Sequence, residues 1–359
     1  MRLGIIGLPN SGKTTIFNAL TGSGYPTEAF SSGQLEVHTA VVPVPDAWID
    51  RLSAIFKPKK TTYATVTYTD IGGLDKGIGE GLSGPMRNEL QQVDGFLHVV
   101  RAFANDEVPH PQDSIDPVRD LDVIDGEFLL LDLIAVENRL ERLAEERKKG
   151  KGANQQQITQ ETALMERLHA HLENEQPLRD LDLTEDEIKQ MRGYGFLTLK
   201  PVLVIFNTGD GSPDPVANLN YKHKHALVVS LQGQLEAEIA QLDDPDDVQM
   251  FLSEYNIEKP SRERALQLSY NLLGIQSFFT YGEDEVRAWP IRKGATAVEA
   301  AGTIHTDLAR GFIRAEVVAY QDFEQFGSVT EAKAKGKVRL EGRDYIVQNG
   351  DMMVIRFNV

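Results

Sequence analysis

The chain opens MRLGIIGLPNSGKTTIFNAL, residues 1–20, and the reading of this stretch decides the fold. Leu3–Ile6 is a short apolar run of strand type, and Gly7-Leu8-Pro9-Asn10-Ser11-Gly12-Lys13-Thr14 is a complete G-x-x-x-x-G-K-[ST] match. In such a loop the glycines allow a tight turn that aims successive backbone N–H groups at phosphate oxygens. Lys13 then reaches the β- and γ-phosphates, and the Thr14 hydroxyl ligates Mg²⁺. A helix expected over Thr14–Leu20 adds its positive dipole end to the same anion. The competing reading, a chance glycine turn, does not account for its position between a strand and a helix. Asn10, Ser11, Gly12, Lys13, Thr14 and Thr15 are therefore the candidate phosphate-binding residues, with Lys13 also stabilising charge during phosphoryl transfer.

Working outward, the next hundred residues alternate short apolar runs with amphipathic segments, the pattern of a parallel sheet with crossover helices. Strands are expected at Leu3–Ile6, Ala40–Val44, Val66–Thr69 and Phe96–Val100, and after a long interruption at Val202–Phe206 and Ala226–Ser230. TVTYTDIGGL ends the third of these with Asp70-Ile71-Gly72-Gly73. At this distance after a phosphate loop, Asp70 is a candidate for the magnesium shell and the Gly73 N–H for the γ-phosphate. Leu74 follows, where Ras-like enzymes carry the glutamine that orients water; hydrolysis is then slow, or another group positions the water. PVLVIFNTGDGS supplies Asn207-Thr208-Gly209-Asp210 for the base, an acid there favouring the guanine edge. Backbone groups at Ser230-Leu231 are a second base contact.

Composition narrows the function classes. The 359 residues are 41% hydrophobic, carry a net charge of −17 and include no cysteine. Disulfides and thiolate chemistry are excluded, and no apolar run reaches the length of a membrane span. A cytoplasmic address is expected, without DNA specificity, because non-specific nucleic-acid binding relies on phosphate neutralisation. Basic clusters at Lys57–Lys60, Arg147–Lys151 and Ala332–Arg339 leave room for a specific RNA-rich partner. His223 and His225 read as a solvated edge rather than a metal site.

The interruption is helical. Leu133, Val136, Leu140 and Leu143 follow 3,4,3 spacing, and Leu164, Leu168 and Leu172 follow steps of four. Two antiparallel helices joined by a basic tip are expected, and Thr184 with Glu187 marks a capping box. Beyond residue 275 short strands and glycine turns at Gly342 and Gly350 predict a small α+β module. The expected organisation is a discontinuous nucleotide-binding domain (1–127 and 200–274), a helical insertion (128–199) and a terminal module (275–359).

GLPNSGKTT, TAVVPVPD, TDIGGLDKGIGEGL, VVRAFANDEVPH and the terminal EVRAWPIRKGATAVEAAGTIHTDLARGFIRAEVVAY with GRDYIVQNGDMMVIRFNV together resemble the YchF/Obg-like ATPase family from end to end. The resemblance implies a P-loop NTPase fold of Ras/Obg type with a coiled-coil insertion and a C-terminal TGS-like domain, itself ubiquitin-like. It also implies Mg²⁺-dependent ATP hydrolysis and association with ribosomes or structured RNA. His110 in EVPHP matches a loop histidine proposed to replace the missing glutamine, and Asn10 matches a position associated with K⁺. The chain departs from the family at Asp210 (usually Glu), with Thr208 where guanine readers carry lysine. It departs again at Gln34 (a switch threonine), at Val37 (the proline of an Ile-Glu-Pro run) and at His38 (commonly Asn). The expectation is a slow, monomeric ATPase that regulates translation, with a GTP-specific GTPase or a nucleotide-gated scaffold as alternatives.

Overall fold

The computed structural model describes residues 1–27, 37–71, 84–149, 155–209, 212, 214–242, 244–255 and 261–358. The chain forms two compact units, Met1–Ala40 with Thr67–Ala265, and Val41–Val66 with Leu266–Val359. The strands run, in chain order, β1 (Arg2–Ile6), β2 (Val37–Pro43), β3 (Lys60–Thr62), β4 (Thr65–Ile71), β5 (Gly95–Ala102), β6 (Val202–Thr208) and β7 (Ala226–Leu231). They continue with β8 (Ile275–Thr280), β9 (Glu285–Arg292), β10 (Phe312–Ala319), β11 (Arg339–Glu341) and β12 (Asp351–Phe357).

In the first unit the sheet order is β2-β4-β1-β5-β6-β7. Its inner strands pair parallel, as Ile5 with Leu97 and Val99 with Ile205. The central strands are buried along nearly their whole length, which is why they read as continuous apolar runs. Helices α1 (Lys13–Thr21) and α3 (Gly84–Gln92) belong to this unit, and α2 (Ala47–Phe56) to the second. The core joins Ile6, Ile71, Phe96, Val100, Val204 and Phe206.

The interruption is a helical pair, α4 (Pro117–Lys149) and α5 (Gln155–Glu173). Val136, Leu143, Leu164, Leu168 and Leu172 are buried in their seam, as the leucine spacing requires. Arg139 crosses it to both oxygens of Glu161 at 2.8 and 3.0 Å. Residues 150–154, which include Lys151 of the basic tip, lie outside the described residues. Helix α4 starts well before its leucine stripe: Pro117 opens it, and Asp116 Oδ1 accepts the Arg119 N–H at 3.1 Å. Leu121, Ile124 and Phe128 root this first part in the core of the sheet. At the arm's return, α6 (Glu185–Met191) carries the expected capping box from Thr184 to Glu187.

Two polar anchors fix the base of the arm. Asp132, 3% exposed, accepts from Leu197 N at 2.9 Å and from Thr198 N and Oγ1 at 2.7 Å each. Burial pushes its carboxyl up to about 6 against those bonds. Lys200 Nζ donates at 2.7 Å to Leu90 O, Gln91 O and Val93 O, closing the C-terminal end of α3.

In the second unit the order is β11-β10-β12-β8-β9-β3. Phe278, Ile291, Ala300, Ala315, Val317 and Met353 form its core. The three-residue β3 pairs parallel to β9, Thr61 opposite Val286, where the sequence suggested only a basic cluster. From α2, Trp48 stacks on Tyr320 at 5.1 Å. Gly350, at φ 86°, is required beneath it, since a Cβ would stand 2.7 Å from the indole ring.

Candidate functional site

The site forms at the carboxyl ends of β1, β4, β5 and β6, where an open α/β sheet presents its loops. After β1 the chain turns sharply. Gly7 runs so close to β5 that a Cβ would lie 2.2 Å from Val99 O. Asn10 adopts φ 59°, a left-handed conformation that asparagine tolerates. Gly12, at φ 88°, is the N-cap of α1 and has no room for a side chain either: a Cβ would lie 2.2 Å from Asn207 Nδ2. The loop therefore presents backbone amides and the open end of α1 to an anion. Lys13 Nζ arches over it, donating to Leu8 O at 2.9 Å and Gly7 O at 3.2 Å. Thr15 is half-buried in the first turn of α1.

Two predicted ligands, one from helix α1 and one from strand β4, meet here. Thr14 Oγ1 donates to Asp70 Oδ2 at 2.8 Å, and Asp70 is 3% exposed at the end of β4. A hydroxyl beside one carboxylate is the hard-oxygen donor set that suits Mg²⁺, which keeps waters and substrate phosphates as its remaining ligands. Among the described residues no cluster of three His, Cys, Asp or Glu could hold a metal by itself. His223 is instead bonded to Asp180 at 2.7 Å, and His225 lies in a left-handed turn at φ 52°.

Asn207, 4% exposed at the end of β6, braces the loop. Its Nδ2 donates to Ser11 O at 3.0 Å and its Oδ1 accepts from Gly233 N at 3.0 Å, at the start of α7 (Gly233–Ile239). Thr208 is half-buried beside it; Leu231 is paired opposite Asn207. Ser230 Oγ donates to Asp214 Oδ1 at 2.5 Å. Gln34, Gly73, Leu74 and Asp210 lie outside the described residues.

His110 is near the loop but turned inward, its Nε2 bonded to Asp120 Oδ2 at 2.8 Å. Asn10 Nδ2 donates to the neighbouring Pro109 O at 3.0 Å. Sequence reading missed the residues that hold this segment. Arg101, 2% exposed, donates to Phe103 O, Asn105 O and Val108 O. An arginine in the apolar run of β5 was the available signal. A second one, His98, is buried in the same strand and pushed down to about 3 by desolvation, so its imidazole stays neutral.

This combination of a parallel sheet, a glycine loop capping α1 and a Thr–Asp oxygen pair defines a P-loop nucleoside-triphosphate-binding protein. Residues 2–129 match the family model described as "50S ribosome-binding GTPase", and residues 275–358 match the YchF-GTPase C-terminal model, described as "Protein of unknown function (DUF933)". The chain is 43% identical over its full length to 99% of the Ribosome-binding ATPase YchF of Pasteurella multocida. It is 39% identical over 99% of both chains to that of Bacillus subtilis. It is also 37% identical to Obg-like ATPase 1 of Oryza sativa, spanning 100% of this chain and 92% of the relative. The solved structure of the Schizosaccharomyces pombe YchF GTPase superposes with a TM-score of 0.86 at 30% identity, covering 99% of this chain and 97% of that one. The chain belongs to the YchF/Obg-like ATPase family.

Proposed function

We propose that this protein binds Mg-ATP and hydrolyses it slowly, and that the nucleotide state governs its association with the ribosome in the cytoplasm. The observation that carries the reading is the 2.8 Å pair of Thr14 and Asp70 under a complete phosphate loop. Thr14 and Asp70 would hold the Mg²⁺, whose chemistry would be to offset negative charge on the phosphate chain. Lys13 and the amides of Asn10 to Thr15 bind the phosphate chain, and Gly73 N–H contacts the γ-phosphate. His110, released from its buried position, orients the attacking water. Asn10 is the candidate contact for a stimulating K⁺.

ATP is favoured over GTP because relatives in Pasteurella, Bacillus and Oryza are named ATPases. Asp210, with Thr208, is the counter-observation, since an aspartate there suits a guanine edge. Calorimetric titration with ATP and GTP side by side, on the native chain and on Asp210→Glu, decides between them. Tighter ATP binding in both is expected; a GTP preference in the native chain, reversed by Asp210→Glu, sinks the ATP assignment. We divide the chain into a nucleotide domain (1–127, 200–274), a helical coiled-coil insertion (128–199) and a TGS-like module (275–359). The protein acts as a monomer and associates with the ribosome or structured RNA, without DNA specificity.

A further inference from the structure

His110 is held by both of its ring nitrogens. The Gln112 N–H donates to Nδ1 at 3.0 Å, so Nδ1 carries the lone pair and the proton sits on Nε2. That proton is donated to Asp120 Oδ2 at 2.8 Å, with side-chain exposures of 4% and 3% for the two residues. Asp120 stands in the first turn of α4, and its other oxygen receives Arg119 Nε at 3.0 Å and Nη2 at 2.8 Å. Arg119 continues to Ser114 O at 2.7 Å and Ser114 Oγ at 2.8 Å. The far end of the 103–116 loop is thus tied to the same carboxylate. Arg101 and Asn10 tie the near end, through Val108 O and Pro109 O.

An imidazole with both nitrogens engaged has no free donor or acceptor for water. We propose that Asp120 is a positioning residue for hydrolysis: its carboxylate holds the His110 Nε2–H and keeps the ring away from the phosphate site, so that breaking this one bond admits His110 to the attacking water. The inference rests on the role given to His110 above. Asp120 also belongs to the helix, α4, that continues into the first half of the arm.

Asp120→Asn keeps the shape and removes the charge, which weakens a charge-assisted hydrogen bond by on the order of a factor of ten. Single-turnover ATP hydrolysis is expected to rise about tenfold in kcat, with KM unchanged, and the gain disappears in the His110→Ala background. Long-range ¹⁵N NMR of the native protein is expected to show His110 protonated at Nε2, with Asp120→Asn converting it to a tautomer mixture. Asp120→Glu, which retains charge and bond, restores the native rate. A native rate or a slower one in Asp120→Asn, a gain that survives in His110→Ala, or a native Nδ1–H tautomer overturns the proposal. A native rate in His110→Ala alone identifies the role of His110 as the failure, and with it the latch.

Discussion

Replacing Asn207 separates bracing of the phosphate loop from reading of the base. In Asn207→Ala two buried backbone groups lose their partners, the Ser11 carbonyl and the Gly233 amide, each bonded at 3.0 Å in the native chain. An unsatisfied buried group costs about 1–3 kcal/mol, so the network loses roughly 2–6 kcal/mol. The Ser11 share falls on the phosphate loop, because Ser11 immediately precedes the left-handed Gly12 whose geometry aims the loop amides. About 1–2 kcal/mol of that share is expected in binding, a Kd weakened about 5- to 30-fold. The loss is on the phosphate side, so the factor should be the same for ADP, GDP and pyrophosphate. Asn207→Asp keeps the acceptor for Gly233 N but turns an oxygen toward Ser11 O, and should bind at least as poorly as the alanine variant. The assay is calorimetric titration of the three ligands at fixed Mg²⁺. Unchanged pyrophosphate affinity, or a loss confined to one base, refutes the bracing role.

Further outcomes follow from other contacts. Gly12→Ala places a Cβ 2.2 Å from Asn207 Nδ2 at φ 88°, and should weaken nucleotide binding by about a hundredfold or more while leaving the far-UV spectrum intact. Native binding by this variant would mean that the loop relaxes freely. Asp132 supplies a pH test, since burial raises its carboxyl from 3.8 to about 6. The native state holds that proton more tightly than the unfolded chain, so this group's contribution is complete below about pH 4 and lost as pH rises through about 6. The change amounts to about 3 kcal/mol. Urea denaturation followed by circular dichroism at pH 4.5 and 7 should show about 2 kcal/mol of that component in the native chain and not in Asp132→Asn; parallel profiles would dismiss it.

What the sequence reveals depends on how local the cause is. The phosphate loop, the buried strands and the leucine stripes of α4 and α5 are written in short-range spacing, and each forms where that spacing puts it. The capping box at Thr184 is equally local. By contrast, β3 has three residues, Lys60-Thr61-Thr62, too few for an alternation, and its partner is β9, far along the chain. Helix α4 begins at Pro117, before its leucine stripe, because its first turns face the sheet core rather than α5. At the site, Lys13, Thr14, Asp70 and Asn207 were readable from motifs, and Thr14 meets Asp70 across 56 residues as those motifs require. Asp120 was not readable: an aspartate early in a helix is ordinary dipole chemistry. Only the folded 103–116 loop shows that it holds His110.

The decisive measurement is single-turnover hydrolysis of Mg-ATP by the purified protein and by Lys13→Ala, each with and without chelator. Lys13 sits over the phosphate loop at 2.9 Å from Leu8 O, where in the proposed reaction its charge would meet the transferring phosphoryl group. Removing it, or the Mg²⁺ that Thr14 and Asp70 are proposed to hold, should slow turnover by about a hundredfold or more. Equal rates for the two proteins, or hydrolysis indifferent to chelator, would show that this site does not carry the reaction.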